Sequence, residues 1–190
     1  MKKLSHLAFL FLTIGIFATS CKKDDKITAP EKGNFISAID STTFDIVSSG
    51  VLSPSNYGLL FSVSKNGKAT ELGCSLPIAG TYTVTLWDTS ANRTILIQRD
   101  VTITAGGKNY VSIPSQTLST GKIYLLTVDA TSFYRATPKI GGNVVYPITK
   151  GSINILGYRY VNGSSASEFP TTAPTTYIGA FVDLTFQEDN

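Results

Sequence analysis

Histidine is almost missing from this chain. Its one occurrence, His6, lies within the first 20 residues, a stretch with the features of a removed leader. The remainder therefore has no histidine. That excludes Ser-His-Asp and Cys-His catalysis and any histidine-ligated metal. Charge is sparse too. Charged residues make up 15% of the chain and the formal net charge is +3, and Lys2 and Lys3 leave with the leader. A body so near neutrality lacks the basic face or stripe that nucleic acid requires. Cysteine occurs only at Cys21 and Cys74, so no internal disulfide can form if the first is consumed by modification. No glycine-rich loop stands between a strand and a helix as phosphate binding demands; Gly106-Gly107 and Gly141-Gly142 read as loop glycines. Helical periodicity and internal repeats are also absent.

What the amino terminus does have is informative. Lys2 and Lys3 give a positive start, Leu7 to Phe17 is almost wholly apolar, and Ala18, Thr19 and Ser20 are small or short. This order is that of a secretory signal. A membrane span needs about 20 apolar residues, and this run is about half that length. The stretch Ala18-Thr19-Ser20-Cys21 resembles the bacterial lipobox, cut before a cysteine that then carries acyl chains. Residues 1–20 are expected to be a removed lipoprotein signal peptide and Cys21 the lipidation site. Each buried methylene contributes about 0.8 kcal/mol, and more than one chain makes anchoring stable. The following run, Lys22-Lys23-Asp24-Asp25-Lys26, resembles the Lys/Asp-rich export tag of surface lipoproteins in Bacteroidetes. The expected location is the outer membrane, lipid-anchored and exposed at the cell surface.

Residues 21–40 read as a lipidated tether, charged at first and then broken by Pro30 and Gly33. Residues 41–190 read as one domain. They are rich in Thr, Val, Ile, Tyr and Phe, with turn signals about every ten residues, the mark of a sandwich or barrel. Tyr57 to Ser64 alternates, with Leu59, Phe61 and Val63 on one face, and Asn66-Gly67 carries a hairpin signal. Further strands are expected over Ala69 to Leu76, Thr81 to Asp88, Thr94 to Ile103, Tyr110 to Ile113, Lys122 to Asp129, Ser152 to Tyr160 and Thr176 to Gln187. Lys122 to Asp129 is apolar on both faces and so reads as a central strand. The expected fold is all-β: a two-sheet, antiparallel, jelly-roll-like β-sandwich. An up-and-down barrel is the alternative.

Three stretches resemble an uncharacterised bacterial family, domain-of-unknown-function family 4082. The first runs from Tyr57 to Val63 and through Asn66-Gly67 to Leu72-Gly73. The second is GTYTVTLWD, Gly80 to Asp88, followed by Leu118 to Tyr124. The third runs from Phe169-Pro170-Thr171 through Tyr177 to VDLTF, Val182 to Phe186. The resemblance implies a β-sandwich of the kind found in carbohydrate-binding modules, and no established activity.

Few residues offer chemistry. Glycoside hydrolysis needs two carboxylates flanking one bond. The candidates, Asp40, Asp45, Glu71, Asp88, Asp100, Asp129, Glu168 and Asp183, are not paired in sequence and mostly sit where turns favour Asp. No Asp-x-Asp cluster supports calcium, and no cofactor is implied. Cys74 reads as a small buried hydrophobe. Aromatics remain. Trp87 could stack on the apolar face of a sugar while Asp88 and Arg159 bond its hydroxyls, with Tyr158 and Tyr160 nearby; alternatively, Trp87 packs under a loop. The reading is a non-enzymatic, lipid-anchored envelope protein binding an extracellular glycan. The alternatives are an assembly subunit with an envelope-protein partner, or a carboxylate-dependent hydrolase. Intact-mass measurement of the purified full-length protein should show a terminus at Cys21 carrying acyl groups. Cys21→Ser should abolish both the acyl mass and partition into detergent.

Overall fold

The computed structural model describes residues 28–189, apart from Ala91 and Ser164. The leader, Cys21 and the charged run to Lys26 lie outside the described residues. The elements in chain order are β1 (Glu31–Lys32), α1 (Asn34–Ala38), β2 (Phe44–Val63), β3 (Gly67–Ser75), β4 (Gly80–Asp88), β5 (Thr94–Ile103) and β6 (Lys108–Leu118). There follow β7 (Tyr124–Pro138), β8 (Ile148–Lys150), β9 (Ile153–Asn162) and β10 (Val182–Glu188). No helix among the described residues is long and apolar enough to cross a membrane.

Two antiparallel sheets pack face to face and do not close into a barrel. One has the order β1-β10-β3-β6 and the other β5-β4-β7-β2-β9-β8. The pairings are nested: β1 with β10, β2 with β7, β3 with β6, and β4 with β5. That is one long hairpin rolled up on itself, the topology of a jelly roll. The β8–β9 hairpin is an addition, joined to the outer side of β2.

Period-two patterning decides which side chains meet between the sheets. Leu59, Phe61 and Val63 of β2 are buried, as are Val84 and Leu86 of β4, and Val182, Leu184 and Phe186 of β10. Phe35 of α1 meets Phe61 edge-on at 4.9 Å, and Phe61 lies 5.5 Å from its cross-strand partner Tyr124. β7 is the central strand of its sheet, flanked by β4 and β2, and Tyr124 to Val128 are buried on both faces. The turn glycine at position 67 has a different reason from the expected hairpin. Its φ is not positive; a Cβ there would come within 2.5 Å of the Phe186 ring. Close approach of a core ring fixes glycine, while Asn66 Oδ1 accepts from the Thr120 amide at 2.8 Å.

The folded body begins ten residues before the boundary expected from sequence. Glu31 and Lys32 pair with Phe186 and Thr185 of β10, and Phe35 and Ile39 are buried in the core. A two-residue strand and a five-residue helix are too short to carry a periodic signal, so this segment read as tether. β2 and β7 also run longer than expected. In contrast, Thr176 to Phe181 is not strand; Ile178 bridges to Ala136, and the Phe181 carbonyl accepts from the Ser75 amide at 2.8 Å. Phe35→Ala should lower the unfolding free energy by about 3–5 kcal/mol, read from urea denaturation, although this residue lies within the expected tether.

Candidate functional site

The five ligand candidates do not converge. Trp87 and Asp88 lie on β4, and Tyr158, Arg159 and Tyr160 on β9, with β7 and β2 between them in the sheet. Trp87 is only 3% exposed. Its Nε1 donates to Thr127 Oγ1 at 3.0 Å, and its ring meets Phe169 edge-on at 5.5 Å. The segment joining β9 to β10 folds over this face. The Ala166 carbonyl accepts from Gln98 Nε2 and Thr85 Oγ1, the Glu168 carbonyl accepts from Asn56 Nδ2 at 2.8 Å, and Arg93 lies 4.8 Å over the Phe169 ring. Trp87 is therefore roofed, and it presents no ring to a sugar. Alternation predicts the face a side chain takes, not the loop that covers that face.

Tyr158 is equally unavailable. It is buried, stacks on Tyr160 at 6.0 Å and meets Tyr177 at 5.5 Å. Burial pushes its hydroxyl pKa well above the ordinary tyrosine value. Gly179 is required beside it, because a Cβ there would collide with the Tyr158 ring and hydroxyl. Arg159 and Tyr160 are half-buried. Arg159 Nη1 donates to the Tyr158 carbonyl at 3.0 Å, and the Tyr160 backbone bridges to Thr172. Asp88 alone borders open space, a shallow pocket of about 300 Å³ shared with Ser90 and Lys122. Its carboxylate accepts from the Ser90 amide at 2.8 Å, which holds its pKa below the usual range.

Two carboxylate networks were not visible in the sequence. On β10, Asp183 is fully buried. Its neighbour across β3 is Gly73, and beyond that lies Tyr110 of β6. A Cβ on Gly73 would come within 2.5 Å of Tyr110 Cδ1. Glycine leaves room for the ring to cross β3 and donate its hydroxyl to Asp183 Oδ2 at 3.0 Å. The Leu184 amide donates to Oδ1 at 2.9 Å. Burial lifts the Asp183 carboxyl to about 6, even though these hydrogen bonds, one from the Ile36 amide and the Lys108 charge act the other way. The second network joins the chain ends. Ser152 Oγ donates to Glu31 and can also bond Glu188, the Ser152 amide donates to Glu31 at 2.8 Å, and Lys65 pairs with Glu188 at 2.7 Å. Such links span from 36 to 123 residues, and no local motif announces them.

Cys74 is a buried free thiol whose pKa burial pushes up to about 12, far from a reactive thiolate. Among the described residues, no three His, Cys, Asp or Glu side chains gather as metal ligands. Two other concave surfaces exist. One is an open cleft of about 640 Å³ where β2 and β7 part beside the β3–β4 turn. The other is a groove of about 260 Å³ between Phe44, Pro138 and the loop carrying Ile140 and Val145. Fold and site together define a jelly-roll sandwich with open hollows at its surface. No known protein-family model matches the chain, and no curated protein matches it.

The raised Asp183 pKa gives a pH signature. The folded state binds this proton more tightly than the unfolded chain, whose value is near 3.8. The stabilisation is complete below that value and is lost as pH rises through about 6. From about pH 4 to about pH 7, wild-type stability relative to Asp183→Asn should fall by about 2 kcal/mol. Urea denaturation at both pH values checks this. The depressed carboxylates Glu71 and Glu188 have the opposite slope in both proteins.

Proposed function

We propose that this chain is a non-enzymatic lipoprotein of the bacterial outer membrane, anchored through Cys21, whose jelly roll binds an extracellular glycan. The leader and its cysteine support the location. The rolled double sheet, and the likeness to domain-of-unknown-function family 4082, support a binding module. The observation that favours binding over hydrolysis is the engagement of several of the carboxylates. Glu71 is paired with Lys32 at 2.6 Å, Asp40 accepts from the Thr42 and Thr43 amides, and Asp183 and Glu188 are taken up in the networks above. Glu31 and Glu188 share the Ser152 hydroxyl, and neither lines any of the three hollows. With Trp87 and Tyr158 inside the protein, a ligand would meet exposed hollows rather than the sequence-predicted aromatic platform.

A second reading is an assembly subunit of an envelope complex. It is favoured by Ile140, 96% exposed, and Val145, 79% exposed, beside the apolar groove. Detergent-solubilised full-length protein should be retarded in affinity gels containing a neutral polysaccharide. Trp87→Ala should cost about 3–5 kcal/mol of stability and leave that retardation unchanged below its unfolding temperature. Silence across a broad glycan panel, with a stoichiometric protein recovered by pull-down from membranes, would replace the first reading with the second.

A further inference from the structure

The cleft beside the β3–β4 turn has features that the other hollows lack. β2 and β7 are paired up to Gly50 and Ser132 and again from Ser55 and Ala130. Residues 51–54 of β2 therefore stand opposite the single residue Thr131. Such bulges part a ladder locally and re-aim the side chains beside it. Ser48, Ser49, Thr131 and Ser132 line the resulting cleft, facing Pro77 and Ile78 of the turn. The Tyr82 hydroxyl pins this turn, donating to the Ile78 carbonyl at 2.9 Å.

The chemistry of the lining is narrow. Among the described residues it holds four hydroxyls, the Gly50 backbone and an apolar wall, and no charged side chain. Ser132 is 3% exposed, and its Oγ has no hydrogen-bond partner among the described residues. A buried hydroxyl left unpaired is unfavourable, and a polar group entering the cleft would satisfy it. Ile78, 56% exposed, is an apolar surface held at the rim. The volume falls within the range of ligand sites.

Position agrees with chemistry. β3 begins at Gly67, opposite Glu188 and next to the chain ends, and runs to Ser75 before turning at Pro77 and Ile78. The turn therefore lies at the pole opposite both ends of the described chain, and a body tethered by its amino terminus would turn the cleft away from the membrane.

The geometry points to this cleft, at the β2 bulge, as the binding site for a neutral polyhydroxylated ligand, a short stretch of uncharged glycan. Ligand hydroxyls bond the serine and threonine side chains, and a C–H face of the sugar rests on Pro77 and Ile78. The inference rests on the glycan-binding reading and gives it a location and a ligand class.

The test is titration calorimetry on detergent-solubilised full-length protein. The probes are neutral hexasaccharides of glucose, mannose and galactose, with oligogalacturonate as the charged control. At least one neutral hexasaccharide should bind, with a Kd changing less than about twofold between low and high salt, since no charge is screened. Ser48→Trp fills the mouth from an exposed strand position, and Ile78→Asp removes the apolar wall. Each should weaken binding by about tenfold or more while the melting temperature holds. Ile140→Asp, at the other groove, should leave binding unchanged. Undiminished binding in both cleft variants overturns this site and leaves the glycan-binding reading standing. Failure of every neutral hexasaccharide, or binding of oligogalacturonate alone, overturns the site together with that reading.

Discussion

The pairing of the first strand with the last holds this fold in its rolled form. β1 contributes only Glu31 and Lys32 to the sheet, yet without it the outermost of the four nested pairings is lost. Two residues of ladder are too little by themselves. Side chains reinforce them: Lys32 reaches across β10 to Glu71 at 2.6 Å and lies 4.1 Å over the Tyr110 ring, and the Thr185 hydroxyl between the two strands also bonds Glu71. A few steps further along, Tyr110 crosses Gly73 to Asp183. A row of polar groups on the outside of one sheet thus holds the amino-terminal segment against it, while Phe35 fills the space between the layers.

This division of labour explains the tyrosines. In many sandwiches a partly exposed aromatic surface serves recognition. Here Tyr57, Tyr124 and Tyr158 are among the largest fully buried side chains, and the rings pack in a chain from Tyr158 to Tyr160 and Tyr177. Tyr57, Tyr124 and Tyr158 all belong to the six-stranded sheet, on β2, β7 and β9. The segment after β9 completes the enclosure on both sides. Its early part roofs Trp87, and its later part lays Ile178 and Gly179 against β7 and Tyr158.

Much of the fold was legible because a strand buried on one face writes its pattern into neighbouring residues. Thr94 to Ile103 was read with the bounds it has, and the inward set of β10 was read correctly from Val182 to Phe186. What escaped was structure whose cause is distant in sequence. Glu31 and Lys32 are a strand only because β10 offers an edge. Asp183 looked like an ordinary strand-edge carboxylate, and its burial follows from a tyrosine 73 positions away. Trp87 posed the sharpest ambiguity. Its face was inferred by alternation, but Phe169, 82 positions on, decides that the ring is covered. The cleft left no local trace either: Ser48, Ser49, Thr131 and Ser132 are unremarkable until a bulge parts two strands between them.

The closeness of the two ends of the described chain bears on mechanics. Thr28 accepts a hydrogen bond from Gln187 at 2.5 Å, and β1 lies lengthwise along β10. A pull transmitted from the far pole to the amino terminus runs parallel to β1. Its ladder bonds and the Lys32 clamp are then strained in shear, all sharing the load, whereas a perpendicular pull would peel them apart in succession. A body arranged in this way resists tension along the axis of β1 better than tension across it.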